Sequence, residues 1–151
     1  MKTSQAAPAP TLYVAEPPAR YLNRRRVVVD SSLICAVLFD EANRHEALSQ
    51  MSSCLLMAPD LIDHEICNVA LNKRRRGWSP QSLDKALADY ADYEVELMPC
   101  EQRQQYALAC RYDLSAYDAA YLWLATELRL PLLTFDRKLG DAAIRHLGAL
   151  D

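Results

Sequence analysis

Residues 27–39 read Val-Val-Val-Asp-Ser-Ser-Leu-Ile-Cys-Ala-Val-Leu-Phe, and the fold is decided there. Three β-branched residues in a row, with no polar alternation, predict a strand covered on both faces. Asp30, Ser31 and Ser32 then offer side-chain acceptors to the free amides of a helix start. The apolar run that follows has no breaker and suits that helix. A strand passing directly into a helix is the first half of a βαβ unit.

Read outward, the chain repeats this alternation. Residues 41–54 predict a second, amphipathic helix, and Leu55–Ala58 a second strand closed by Pro59-Asp60. Residues 61–76 predict a helix that stops at Gly77 after Lys73-Arg74-Arg75-Arg76, cations suited to a helix C-terminus. Ser79-Pro80 opens a helix to about Tyr93, and Glu94–Met98 alternates as a third strand. A helix over 101–111 and a strongly apolar one from Ser115 to about Arg129 come next. Pro131–Phe135 is the fourth strand, Arg137 to about Leu147 the last helix, and residues 149–151 could add a short edge strand. The fold class expected is α/β, a three-layer α/β/α sandwich with a mostly parallel central sheet.

At 151 residues, 51% apolar and 25% charged, the chain has the composition of one soluble domain. We read residues 26–151 as that domain and residues 1–25 as a flexible leader, Pro-rich and basic at its end. Four of the eight prolines (Pro8, Pro10, Pro17, Pro18) lie in the leader, where they favour extended backbone. Lys2, Arg20, Arg24, Arg25 and Arg26 against Glu16 give residues 1–26 a net charge of +4. Residues 27–151 are left with 12 cations, 19 acids and a net −7. That balance excludes an overall basic nucleic-acid binder. No stretch reaches the ~18 apolar residues of a membrane span. Five cysteines, an odd number without a CxxC pair, predict reduced, mostly buried thiols in a cytoplasmic protein. Only three glycines occur (Gly77, Gly140, Gly148), which excludes GxGxxG and Walker loops.

Four carboxylates stand in places that ask for a role. Ligands of an open parallel sheet gather beyond the carboxyl ends of its strands. Asp30 ends the first strand and Asp136 the fourth, although each also suits a helix cap or turn. Glu65 shares a helical face with Ile62 and Val69, where a charge needs a partner, an arginine being the simplest. Asp118 is the lone charge between Ala116 and Thr126, and Ser115-x-x-Asp118 also fits a capping box. Four acids at one edge call for a cationic partner or a hard divalent ion. All-oxygen ligation suits Mg2+ or Mn2+, whose chemistry is that of phosphodiester hydrolysis. Other motifs fail on residue identity. HExxH starting at His64 would need histidine at 68, which is Asn68, and Asp30-Ser31-Ser32 lacks the second Asp of DxDxT phosphatases.

These residues bring the chain to a family. VVVDSSLI (27–34), APDLIDHEICNVALNKRRRG (58–77), LSAYDAAYLWLATEL (114–128) and LPLLTFDRKL (130–139) together resemble the PIN-domain family. The resemblance is strongest to its VapC-type toxin ribonucleases and covers about residues 26–148. It implies a PIN-like fold and an acidic metal site of Asp30, Glu65, Asp118 and Asp136. Ser32 matches a hydroxyl residue that helps hold the first acid, and Asn68 and Thr134 match supporting polar positions. The activity implied is Mg2+- or Mn2+-dependent cleavage of RNA. The implied partners are a VapB-type antitoxin, whose tail covers the acidic pocket, and a second copy of the chain in a homodimer. The resemblance says nothing about the leader.

On this basis Asp30 and Asp118 are expected to be the principal metal ligands. Glu65 and Asp136 would act through water, complete a second metal position or orient the nucleophile. Arg74, Arg75 and Arg76, together with Arg137 and Lys138, are candidates for holding RNA phosphates or are simply solvated helix-end charges. The alternative function is a non-catalytic interaction module of the same fold that binds a basic peptide through the acidic pocket.

Overall fold

A computed structural model describes residues 24–150. The expected leader therefore lies outside the described residues, apart from Arg24 and Arg25. Strand β1 spans Arg25–Val29 and leads into helices α1 (Ser31–Leu38) and α2 (Arg44–Met51). Strand β2 (Cys54–Pro59) is followed by α3 (Ile62–Arg75) and α4 (Pro80–Ala91). Strand β3 (Glu96–Met98) is followed by α5 (Gln102–Tyr112) and α6 (Ala116–Leu128), and β4 (Leu132–Leu133) by α7 (Arg137–Leu147). The four strands form one sheet in the order β3-β2-β1-β4, with every pairing parallel.

Val27, Val28 and Val29 are each at most 1% exposed. Side chains of a strand alternate between faces, so three consecutive buried residues mean that helices cover both faces of the sheet. Helix α6 is the centre of that packing. Its residues Ala119–Ala125 are all buried, which places the helix inside the domain.

Strand order explains where a ligand fits. The chain runs outward from β1 to β2 to β3, then crosses back so that β4 lies on the other side of β1. The reversal makes the carboxyl ends of β1 and β4 a topological switch point, where neighbouring connections diverge and leave a crevice.

Several expected boundaries move. The helix expected over 41–54 shortens to Arg44–Met51. Asp40 and Ser53 take left-handed backbone, with φ of 51° and 61°, and break the chain on either side. Cys54 pairs with Arg25, so the second strand begins one residue earlier than the apolar run suggests. Glu94, also left-handed at φ 48°, delays the third strand to Glu96. The fourth strand is only Leu132–Leu133, because Thr134 turns its hydroxyl toward Asp30. Of the edge strand expected over 149–151, Asp151 lies outside the described residues, and Ala149 and Leu150 turn back on α7. Among the cysteines, Cys35 and Cys54 are buried and Cys100 is half-buried, whereas Cys67 and Cys110 are exposed, and all five are free.

Candidate active site

All four acids occupy helix starts. Asp30 and Asp136 are the N-caps of α1 and α7, and Glu65 and Asp118 lie in the first turns of α3 and α6. Unpaired amides give each helix start a partial positive charge, which favours a carboxylate there.

Asp30 is the most enclosed, at 4% exposure. Its Oδ1 accepts from the Ser32 amide at 3.1 Å, the Ser32 hydroxyl at 2.5 Å and the Leu33 amide at 3.4 Å. Its Oδ2 accepts from the Thr134 hydroxyl at 2.6 Å. Burial pushes its pKa up, and the Ser32 and Thr134 hydroxyls and two backbone amides only partly oppose that.

Ser32 and Thr134 act as matched relays. The Ser32 hydroxyl accepts from the Phe135 amide at 2.9 Å while donating to Asp30. The Thr134 hydroxyl accepts from the Asp136 amide at 2.8 Å while donating to the same carboxylate. Asp136 in turn accepts from the Leu139 amide at 2.7 Å and caps α7. The ends of β1 and β4 are thus cross-linked through Asp30, with Asp136 exposed at the rim.

Glu65 is half-buried, and its partner is a tyrosine in place of the arginine that burial suggested. The Tyr121 hydroxyl, from the buried face of α6, donates to Glu65 Oε2. Burial pushes the Glu65 pKa up; the Tyr121 bond opposes this, and the charges of Asp30 and Asp118 add to the rise. That influence places Asp30 and Asp118 each within electrostatic reach of Glu65. Burial and Glu65 together push the Tyr121 hydroxyl far up, so it remains a proton donor. Tyr121 is the site residue that sequence reasoning missed, and the unmet demand of Glu65 for a partner was the available signal.

Asp118 meets half of the capping-box expectation, with its carboxylate on the Ser115 hydroxyl and not on the Ser115 amide, and lies within electrostatic reach of Glu65. Its amide donates to the Ser115 hydroxyl at 3.0 Å, and that hydroxyl donates back to Asp118 Oδ2 at 2.7 Å. Asn68 is exposed, one turn beyond Glu65. Arg74, Arg75 and Arg76 lie at the other end of α3, roughly 14 Å from Glu65 along the axis. They are not brought to the acids. Arg137 and Lys138 do follow Asp136 directly, but they have acidic neighbours: Arg137 stands 3.9 Å from Asp141 and Lys138 2.9 Å from Asp113.

Among the described residues, ion pairs form at Asp40, Glu41, Asp89, Asp113 and Asp141, and none involves the four acids. The same residues hold no group of three or more His, Cys, Asp or Glu side chains already gathered as a metal-binding cluster. What fits a divalent ion is the chemistry of the donors: hard carboxylate oxygens, two of them with raised pKa values, with no ion pair to them among the described residues.

Comparison with known proteins agrees with this architecture. The chain is 29% identical over 122 residues to Ribonuclease VapC3 of Pyrobaculum aerophilum, covering 77% of this chain and 93% of that protein. The crystal structure of PAE2754 from Pyrobaculum aerophilum superposes with a TM-score of 0.61 at 19% identity, over 84% of this chain and 91% of that one. That likeness speaks for the fold. Residues 27–145 match the PIN domain, from the first buried valine into the last helix. The chain belongs to the PIN-domain family.

Proposed function

We propose that this chain is a Mg2+- or Mn2+-dependent endoribonuclease that hydrolyses RNA phosphodiester bonds as the toxin of a toxin–antitoxin pair. The observation that supports this reading best is the buried Asp30 carboxylate at the switch point of the sheet, tied through Thr134 to the start of the last helix, with no ion pair to it among the described residues. Membership of the PIN-domain family and the likeness to a protein named a VapC ribonuclease support nuclease chemistry and an RNA substrate.

In this reading Asp30 and Asp118 hold the ion, and Glu65 and Asp136 complete its surroundings. The chemistry such an ion would supply when bound is a lowered pKa of adjacent water and an offset to charge developing on a phosphoryl oxygen. The chain supplies the rest. Ser32, Thr134 and two amides fix the Asp30 carboxylate before substrate arrives, so little reorganisation accompanies the reaction. Glu65, less enclosed than Asp30, would accept a proton from the attacking water. Tyr121 keeps that carboxylate oriented by holding Oε2.

The partners in this reading are RNA, a VapB-type antitoxin with an arginine-bearing segment laid over the acidic edge, and a second copy of the chain. Its place is the cytoplasm, with no membrane partner; no helix among the described residues is long and apolar enough to cross a membrane. The test is Asp30→Asn and Asp118→Asn, each checked for folding by circular dichroism. Cleavage of RNA with Mg2+ is expected to fall at least ~100-fold in each. Wild-type rates in either variant would show the site to be wrong. Calorimetric titration separates the alternative, since a peptide-binding module would take up neither Mg2+ nor Mn2+ at millimolar concentration.

A further inference from the structure

A second charged feature lies away from the acids, where α5 and α7 meet. Arg111 is in the last turn of α5 and Arg145 in the last turn of α7. Both guanidinium groups lie against one ring, that of Tyr112, at 5.5 Å and 5.6 Å from its centroid. His146 meets the same tyrosine. Its ring packs edge-on at 5.4 Å, and its Nδ1 lies 2.9 Å from the Tyr112 hydroxyl. Burial and the Arg111 charge hold the His146 pKa below its ordinary value.

The helix dipole accounts for each arginine separately, because cations are favoured at helix C-termini. It does not account for two exposed cations sharing one ring in a body of net charge −7. Among the described residues neither guanidinium has a carboxylate partner, and the one bond of Arg145, from Nε, goes to the Asp141 carbonyl at 3.2 Å. Stacking on Tyr112 holds the two groups in place while leaving their remaining donors free. Two positioned guanidinium groups without an acid are complementary to a phosphodiester.

The position relates this cluster to the acidic edge. Lys138, two residues after Asp136, is seven residues before Arg145 and therefore on the same face of α7. The two are roughly 10 Å apart along the axis. The Lys138–Asp113 and Arg145–Tyr112 contacts confirm that this face runs beside the end of α5.

We propose that Arg111 and Arg145, arrayed on Tyr112, form a phosphate clamp for the backbone of an RNA strand whose cleaved bond lies at the acidic edge. The proposal rests on the nuclease reading above. A clamp of this kind contacts no base, so it strengthens binding without reading sequence.

The test uses the full chain with Arg111→Gln and Arg145→Gln, singly and together, against a single-stranded RNA oligonucleotide. The double variant is expected to raise KM about ten-fold at ~0.1 M salt and to leave kcat within about two-fold. In a Ca2+ buffer or with chelator, the slope of log affinity against log salt is expected to flatten by about 1.4, two phosphate contacts on a single strand. Arg→Lys at both positions should restore the slope in part. A wild-type protein that cleaves RNA, with KM and salt slope unchanged in the double variant, overturns the clamp and leaves the nuclease reading standing. A wild-type protein that neither binds nor cleaves RNA overturns both. Loss of binding to polyglutamate with RNA binding intact would assign the cluster to an acidic protein partner and overturn the proposal.

Discussion

Thr134 donates to Asp30 and accepts from the Asp136 amide, so one hydroxyl sets two acids at once. Thr134→Val keeps the shape and strips both bonds, leaving the exposed Asp136 amide to water and a buried carboxylate oxygen of Asp30 without that partner. We expect a loss of about 1–3 kcal/mol in urea unfolding, together with slower cleavage. Glu65 gives the opposite sign. Its pKa is raised in the folded chain, so the folded state keeps a proton that the unfolded state has already released. Stability from this group is therefore greatest below the ordinary carboxylate range and declines as pH climbs through the raised value. Without divalent ions, Glu65→Gln should unfold a few degrees above wild type at neutral pH, with the gap closing near pH ~4. Cleavage should be lost in the same variant. A Gln variant less stable than wild type at both pH values would refute the assignment of that strain to ionised Glu65.

At the scale of elements, α6 is both the core helix and the carrier of a site residue. It buries Ala119–Ala125 and presents Asp118 from its first turn. Leu124→Ala should cost about 2–5 kcal/mol by chemical denaturation, since a buried leucine leaves a cavity that the surroundings only partly fill. Ser115→Ala removes the cap and should cost ~1 kcal/mol while also loosening Asp118. These elements were legible in the sequence because their signals are local: the valine run of β1, Ser79-Pro80 before α4, and Ser115 three residues before Asp118. The strand order was not, because parallel pairing joins residues far apart in the chain, such as Val29 with Leu133. Positive-φ residues at Asp40, Ser53 and Glu94 also escaped, since none is a glycine and nothing in their neighbours marks them. In the candidate site, the four acids stand out in the sequence by apolar surroundings and strand ends, and the fold places each at a helix start. Tyr121 does not stand out, because an aromatic in a buried helix reads as core until the fold places it opposite Glu65.

For the molecule as a whole, the excess of negative charge is organised by the fold. Parallel strands send the helices that follow them away from one edge, so the starts of α1, α3 and α7 bring Asp30, Glu65 and Asp136 to the same side of the sheet, and Asp118 lies within electrostatic reach of Glu65. Divalent ions that bind only the folded chain must stabilise it by mass action. At a free concentration about one hundred times the dissociation constant, ~2.7 kcal/mol is expected, or roughly 5–10 °C in the unfolding midpoint. Scanning calorimetry across Mn2+ concentrations should show this rise in wild type and its absence in Asp118→Asn. The helix-start placement also bears on how such a chain would age if cleavage ceased to matter. Asp30 and Asp136 cap helices and Asp118 braces the hydroxyl that caps its own helix, so selection for folding alone would preserve all three. Glu65 caps nothing, and burial disfavours its ionised form. In a lineage that had retired as a nuclease, Glu65 would be the first of the four to drift, and the other three would persist as a fossil of the active site.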